Sequence, residues 1–141
     1  MPSLFTFEVH TPYRLFYKNK VEAISVTLLD GEVGILAHHA AITAPIKPCL
    51  VKIKEKSGQW KIGFASEGIL EVAGGKTVLM VDSAEWPDEI DHERALEAKR
   101  QAEEILKNSS FKFESGTAKQ KLERADMRLK AWELRGEKAP E

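Results

Sequence analysis

Residues 69–81 read Ile69-Leu70-Glu71-Val72-Ala73-Gly74-Gly75-Lys76-Thr77-Val78-Leu79-Met80-Val81. Two short apolar runs flank Ala73-Gly74-Gly75-Lys76, and adjacent glycines admit the positive φ values a tight hairpin turn needs. The stretch predicts a β-hairpin. The same pattern repeats towards the N-terminus. Phe5, Phe7 and Val9 alternate with Thr6, Glu8 and His10, the two-residue period of a half-buried strand, and Thr11-Pro12 ends the run. Ile24, Val26 and Leu28 alternate before a turn at Asp30-Gly31. Leu50 to Lys54 runs into Lys56-Ser57-Gly58, after which Trp60, Ile62 and Phe64 resume the alternation. Turn signals every ~8–12 residues predict an antiparallel sandwich or barrel. No helical segment lies between these strands to make a parallel crossover.

Beyond Pro87 the composition changes. Residues 1–86 hold 9 basic and 9 acidic side chains, whereas residues 87–141 hold 12 and 13 in a shorter stretch. Seven of the nine glycines fall in the first part. A β-sandwich over 1–86 followed by a helical hairpin over 87–141 is therefore expected. Ala95, Ala98, Ala102 and Ile105 recur at helical spacing, as do Ala118, Leu122, Ala125, Leu129 and Trp132. The polar stretch 108–116 is expected to be the loop. Folding back near Lys112 sets Ala95 beside Leu129, Ala98 beside Ala125 and Ala102 beside Leu122. Such a seam buries mainly methyl groups, and a CH₂-sized group contributes only about 0.8 kcal/mol. Two helices of this length are marginal alone. The hairpin is thus expected to dock through an alanine-rich face on the β-domain and to leave it at modest cost.

The whole chain has 141 residues and a net charge of −1. That balance gives no electrostatic footprint for nucleic acid. Cys49 is the only cysteine, which excludes a disulfide framework and a Cys₄ or Cys₂His₂ zinc site. No run approaches the roughly 20 apolar residues of a membrane helix, and the N-terminus has no signal-peptide pattern. A cytoplasmic protein, attached to a membrane only through other proteins, is expected. No serine or cysteine shows a signature pairing it with a histidine base. Gly74-Gly75-Lys76 lacks the spacing and the following Ser or Thr of a Walker A loop.

Three stretches carry a resemblance. They are Asp30-Gly31-Glu32-Val33-Gly34-Ile35-Leu36 leading to His39-Ala40-Ala41-Ile42-Thr43, then Glu67-Gly68-Ile69-Leu70-Glu71-Val72, then Ile90-Asp91-His92-Glu93-Arg94-Ala95 followed by Arg124-Ala125-Asp126-Met127-Arg128-Leu129. In this order and spacing the chain resembles, over essentially its full length, the epsilon subunit of bacterial F-type ATP synthases. It departs from that family at three places. Ala37-His38-His39-Ala40-Ala41 stands for Pro-Gly-His-Ala-Pro. Lys47-Pro48-Cys49 stands for Lys-Pro-Gly, which puts a side chain, resistant to positive φ, at a usual glycine and implies a different local turn geometry. Glu67-Gly68 stands where Gly-Gly is common.

The resemblance implies a non-catalytic subunit of the central stalk, on the cytoplasmic face of the bacterial inner membrane. Its sandwich would bind the gamma subunit and rest on the c-subunit ring that translocates ions. Its hairpin would lie folded, or extend into the alpha/beta catalytic head and inhibit ATP hydrolysis. Glu32 and His39 fall in the ring-facing stretch. The plainer reading of Glu32 is a solvated turn residue. His38 and His39 adjoin, but neighbours in a strand face opposite ways and no further ligand stands at metal-binding spacing, so no metal site is expected.

The resemblance also implies ATP as a regulatory ligand; no cofactor is required. The matching residues are Glu85, Ile90, Asp91, Arg94, Ala95, Arg124 and Arg128. The fold-back register puts Arg94 level with Arg128 and one turn from Arg124, so three guanidiniums could converge on one triphosphate. Ile90 and Ala95 would face the adenine, and Asp91 would accept from its amine or cap the first helix. The plainer readings are an N-cap for Asp91 and a solvated face for the arginines. Lys119, Lys121, Arg124 and Arg128 are the basic candidates for contact with the catalytic head. A freestanding ATP-binding sensor is the alternative reading, and a small β-sandwich enzyme, for which the sequence supplies no nucleophile, is a third.

Overall fold

The structure, a computed structural model, describes residues 3–108 and 112–135. Nine strands come first: β1 (Phe5–His10), β2 (Leu15–Leu28), β3 (Gly31–Leu36), β4 (Ile42–Ile46), β5 (Cys49–Glu55), β6 (Trp60–Ala65), β7 (Gly68–Ala73), β8 (Lys76–Val81) and the short β9 (Ala84–Glu85). A 3₁₀ turn over Pro87–Glu89 leads to α1 (His92–Asn108) and α2 (Lys112–Glu133). The order is the β-sandwich and two-helix hairpin that the sequence patterns predict.

One layer runs β1-β8-β7-β4, and β2-β5-β6-β9 continues the hydrogen-bonded path, with β3 on the edge of β2. The long β2 joins the layers, because its first half pairs with β1 and its second half with β3 and β5. All pairings are antiparallel except β1 with β8. That parallel pair needs no helical crossover, since the intervening strands supply the connection. The core takes the residues of the alternating runs: Phe5, Phe7, Val9, Ile24 and Val26 are all buried. Glu8, on the opposite phase of β1, is also buried, and its carboxylate pairs with His10 and Lys76.

Two local features explain turns. Gly74 and Gly75 both have positive φ, +56° and +79°, and they close the β7–β8 hairpin that register-pairs Ala73 with Lys76. Gly68 is needed for space: a Cβ there would overlap the Met80 carbonyl oxygen on β8. The side chain in a strained backbone position is His38, at φ 65°, not Cys49. Cys49 opens β5 in ordinary conformation, with its thiol buried and its pKa pushed up by that burial. His38 and His39 occupy a turn after β3, so the opposite-faces argument for a strand does not apply to them.

The second cluster docks the hairpin. β6 presents Ala65 to the main core and Phe64 to the other side, where Phe64 meets Ile90 and Ala131 with Leu50, Met127 and Trp132 around them. The expectation of an alanine-rich docking face is therefore corrected. Ala95, Ala102, Ala118 and Ala125 are buried on the two helices, whereas α2 meets the sandwich through Met127, Ala131 and Trp132. A single helix has two faces to satisfy here, and the larger side chains go to the sheet. Ile105, expected in the seam, is 39% exposed. The expected loop over 108–116 is also shorter. Asn108 ends α1, and α2 starts at Lys112 and includes Ser115 and Gly116; the loop expected at 109–111 lies outside the described residues.

The segment before α1 is anchored. Trp86 stacks on Phe16 with ring centroids 4.4 Å apart, and the Lys61 ammonium sits 4.7 Å from the Trp86 ring. Glu89 takes a forked pair from Arg14 (2.8 and 3.1 Å) and accepts from the Trp86 N–H (2.9 Å). The segment at Trp86-Pro87 is thus packed against the sandwich, and Asp91 is the first exposed residue beyond buried Ile90.

Candidate functional site

A groove of about 540 Å³ opens between α1, α2 and the residues that lead into them. Six of the seven residues matched to a nucleotide site line it: Glu85, Asp91, Arg94, Ala95, Arg124 and Arg128. Ile90 does not. It turns inward on Phe64 and Ala131, because an isoleucine beside an uncovered phenylalanine is better buried than exposed. Glu89, Gln101 and Lys121 complete the polar lining, and Ala98, Ala102, Ile105 and Ala125 supply apolar wall.

Asp91 does the work of an N-cap. Its Oδ1 accepts from the Arg94 N–H at 3.1 Å and its carbonyl from the Ala95 N–H at 3.0 Å. This turns the first helical residues so that Arg94 and Ala95 face the groove. At the same end of the hairpin, His92 stacks on Trp132 with centroids 3.8 Å apart and Arg135 lies 3.3 Å over the same ring, closing α1 against α2. Lys99 and Asp126 add a 3.2 Å pair between the helices.

The arginines of α2 are not on a solvated face. Arg124 Nε donates to Glu67 Oε1 at 2.8 Å, its Nη2 donates to Glu67 Oε2, and Asp82 lies 3.8 Å away. Gln120 Nε2 donates to the same Glu67 Oε2 at 2.5 Å. Arg128 Nε donates to Glu85 Oε1 at 2.9 Å and its Nη2 to Ser83 Oγ at 3.2 Å, with the guanidinium 4.6 Å over the Phe64 ring. The Arg124 guanidinium holds the Glu67 carboxyl below the usual carboxylate range, and Glu67 raises Arg124 in turn. Among the described residues the Arg94 guanidinium makes no ion pair. The three guanidiniums line one groove, and two of them, Arg124 and Arg128, are also held by carboxylates of the sandwich. Glu67 and Ser83 escaped a motif-based reading because their partners lie 57 and 45 residues along the chain. The sequence signal for Glu67 was a carboxylate where glycine is common.

The four basic candidates for contact with a catalytic head divide accordingly. Lys119 is exposed outside the groove, Lys121 lines it, and Arg124 and Arg128 turn to the sandwich. Glu32 and His39 do not share a cavity. Glu32 accepts from the Ser25 hydroxyl at 2.5 Å, which lowers its pKa with help from Lys52 at 3.5 Å. It borders a second hollow of about 500 Å³ beside Lys47, Met127 and Lys130. His39 is exposed, with Nδ1 2.7 Å from its neighbour's carbonyl.

The family model described as "ATP synthase, Delta/Epsilon chain, beta-sandwich domain" matches residues 4–87, and "ATP synthase, Delta/Epsilon chain, long alpha-helix domain" matches residues 88–133. The chain belongs to the delta/epsilon-chain family of ATP synthases. An ATP synthase epsilon chain of Caldanaerobacter subterraneus subsp. tengcongensis is 45% identical over 92% of this chain and 94% of its own length. One of Caldicellulosiruptor saccharolyticus is 44% identical over 93% and 95%. A chain in the cryo-EM structure of Euglena gracilis mitochondrial ATP synthase (OSCP/F1/c-ring) superposes with a TM-score of 0.77 at 21% identity, covering 89% of this chain and 79% of that one. That likeness bears on the fold. Both domains of this delta/epsilon-family chain are thus matched, in the order the structure shows. No helix among the described residues is long and apolar enough to cross a membrane.

Proposed function

We propose that this chain is a non-catalytic rotor subunit of an F-type ATP synthase. In this reading the sandwich binds the gamma subunit and the c ring, with Glu32 and His39 at the ring-facing end. The hairpin is a regulatory arm that inhibits ATP hydrolysis when it leaves the sandwich and enters the alpha/beta head. The chain works at the cytoplasmic face of the inner membrane and is held there through the complex. ATP binds the interhelical groove and favours the folded arm.

One observation carries the regulatory part. A single groove gathers residues of both helices and of the linker, including Arg94, Arg124 and Arg128, so a ligand bound there engages the folded hairpin and loses those contacts when the hairpin opens. Arg94, which makes no ion pair among the described residues, offers its guanidinium to a phosphate, and the alanine-lined wall offers a surface to a base. The arginines that pair with the sandwich in the folded arm are released on extension, and with Lys119 and Lys121 they form the cationic surface for the catalytic head.

Calorimetric titration of the full chain with ATP tests the ligand. Arg94→Ala should weaken binding about tenfold, the value of one charge-assisted contact of ~1.4 kcal/mol, without changing the melting temperature of the free chain. No heat up to millimolar ATP removes the nucleotide from the reading. Reconstitution with gamma and the catalytic head, with and without the helices, tests the arm. Hydrolysis should rise when they are absent, and an unchanged rate removes the inhibitory role. A freestanding sensor would bind ATP without any stable partner, and its matched relatives, named as synthase chains, favour the rotor.

A further inference from the structure

We propose that Glu67 is a latch that holds Arg124, a residue of the groove lining, on the sandwich without ligand and that a polyphosphate must displace. The displacement half rests on the nucleotide reading above; the latch half does not.

Glu67 stands in the turn between β6 and β7, and that turn is held from both sides. The Ser66 N–H donates to the Ser83 carbonyl and the Ser83 N–H to Ser66 Oγ, each at 2.9 Å. Gly68, immediately after, sits so close to Met80 that no side chain fits. The carboxylate is therefore presented by a rigid mount. Both of its oxygens are engaged: Oε1 by Arg124 Nε, and Oε2 by Arg124 Nη2 and Gln120 Nε2. Gln120 and Arg124 lie one turn apart on α2, so one carboxylate grips two successive turns of the arm. The edge of Arg124 that Glu67 occupies has the parallel-donor geometry a phosphate would use. A phosphate in the groove meets Arg94, which makes no ion pair among the described residues, and an Arg124 whose Nε and Nη2 Glu67 already engages. Binding there exchanges one anion for another at Arg124, and the arm remains folded in the absence of ligand because its own carboxylate takes the ligand's place.

Arg124 and Glu67 are 30% and 22% exposed at the side chain. A forked, part-buried pair exceeds the small effect of open surface pairs. The test is amide hydrogen exchange on the full, ligand-free chain at neutral pH and ~0.1 M salt, for wild type, Glu67→Gln, Arg124→Gln and the double variant. Each single change should speed exchange over residues 118–133 five- to tenfold, and the double variant should exchange no faster than either. Strands β1–β5 should be unaffected, which also reports that the variants fold. Unchanged exchange in α2, or additive effects in the double variant, overturns the latch. Titration with inorganic tripolyphosphate and with ATP tests displacement. Glu67→Gln should bind both five- to tenfold more tightly than wild type, because a small open population leaves the folded fraction nearly intact. Equal affinity in the two chains overturns displacement. Binding by neither chain overturns the nucleotide reading and displacement with it, and the exchange result then decides the latch alone.

Discussion

Phe64→Ala separates the energetics of docking from those of the sandwich. Phe64 is fully buried, yet its side of β6 belongs to the docking cluster, whereas neighbouring Ala65 belongs to the core. Its ring lies among Ile90, Ala131 and Met127 and under the Arg128 guanidinium at 4.6 Å. Truncating a buried phenylalanine costs about 3–5 kcal/mol, and loss of the guanidinium–ring contact adds about 0.5–1 kcal/mol at a part-exposed site. Because the ring points away from the core, nearly all of this falls on the contact between α2 and the sheet. A loss of about 4 kcal/mol raises the arm's opening equilibrium by roughly a thousandfold. Amide exchange on the full chain reads it directly. Residues 118–133 should lose protection by two to three orders of magnitude, or to the undocked limit if docking is weaker than that. Strands β1, β2, β5, β7 and β8 should keep theirs. A change below tenfold in α2, or an equal loss in those strands, would refute the assignment of Phe64 to docking.

Gly68→Ala should unfold the chain or lower its melting temperature severely, because the new Cβ meets backbone at Met80 that cannot yield; circular dichroism during heating reads this. His38→Gly should be neutral to stabilising by up to about 1 kcal/mol, since relief of the left-handed strain outweighs the added chain entropy, and a urea midpoint lower than wild type would contradict it. Glu8, Glu67 and Glu89 are all held below the ordinary carboxylate value of 4.5, by His10 and Lys76, by Arg124, and by Arg14. A depressed folded-state pKa gives stability that is complete above the unfolded value and lost as pH falls through the folded one. The urea midpoint should therefore be flat from pH 7 to about 5 and fall steadily below it.

The turn glycines and the two-residue alternation of β1, β2, β6 and β7–β8 were legible because they are local. A residue's own neighbours decide whether it can adopt positive φ or alternate faces, and Gly74-Gly75 and the Phe5-Phe7-Val9 series behave accordingly. The change of period beyond Pro87 likewise announced two helices. So did most of the groove, since Arg94, Arg124 and Arg128 follow from helical spacing once the chain folds back. What spacing left open is which partner each charge meets. Arg124 and Arg128 read as a free phosphate clamp or a solvated face, and tertiary structure instead supplied Glu67 and Glu85, 57 and 43 residues away. The outward face of β6 was equally undecided: alternation marks Phe64 as apolar, and only the arrival of α2 and Ile90 buries it. Local sequence determines backbone conformation and the spacing of like residues, while pairing across distant segments depends on how whole elements pack, so the folded chain alone decided which anion holds the arm.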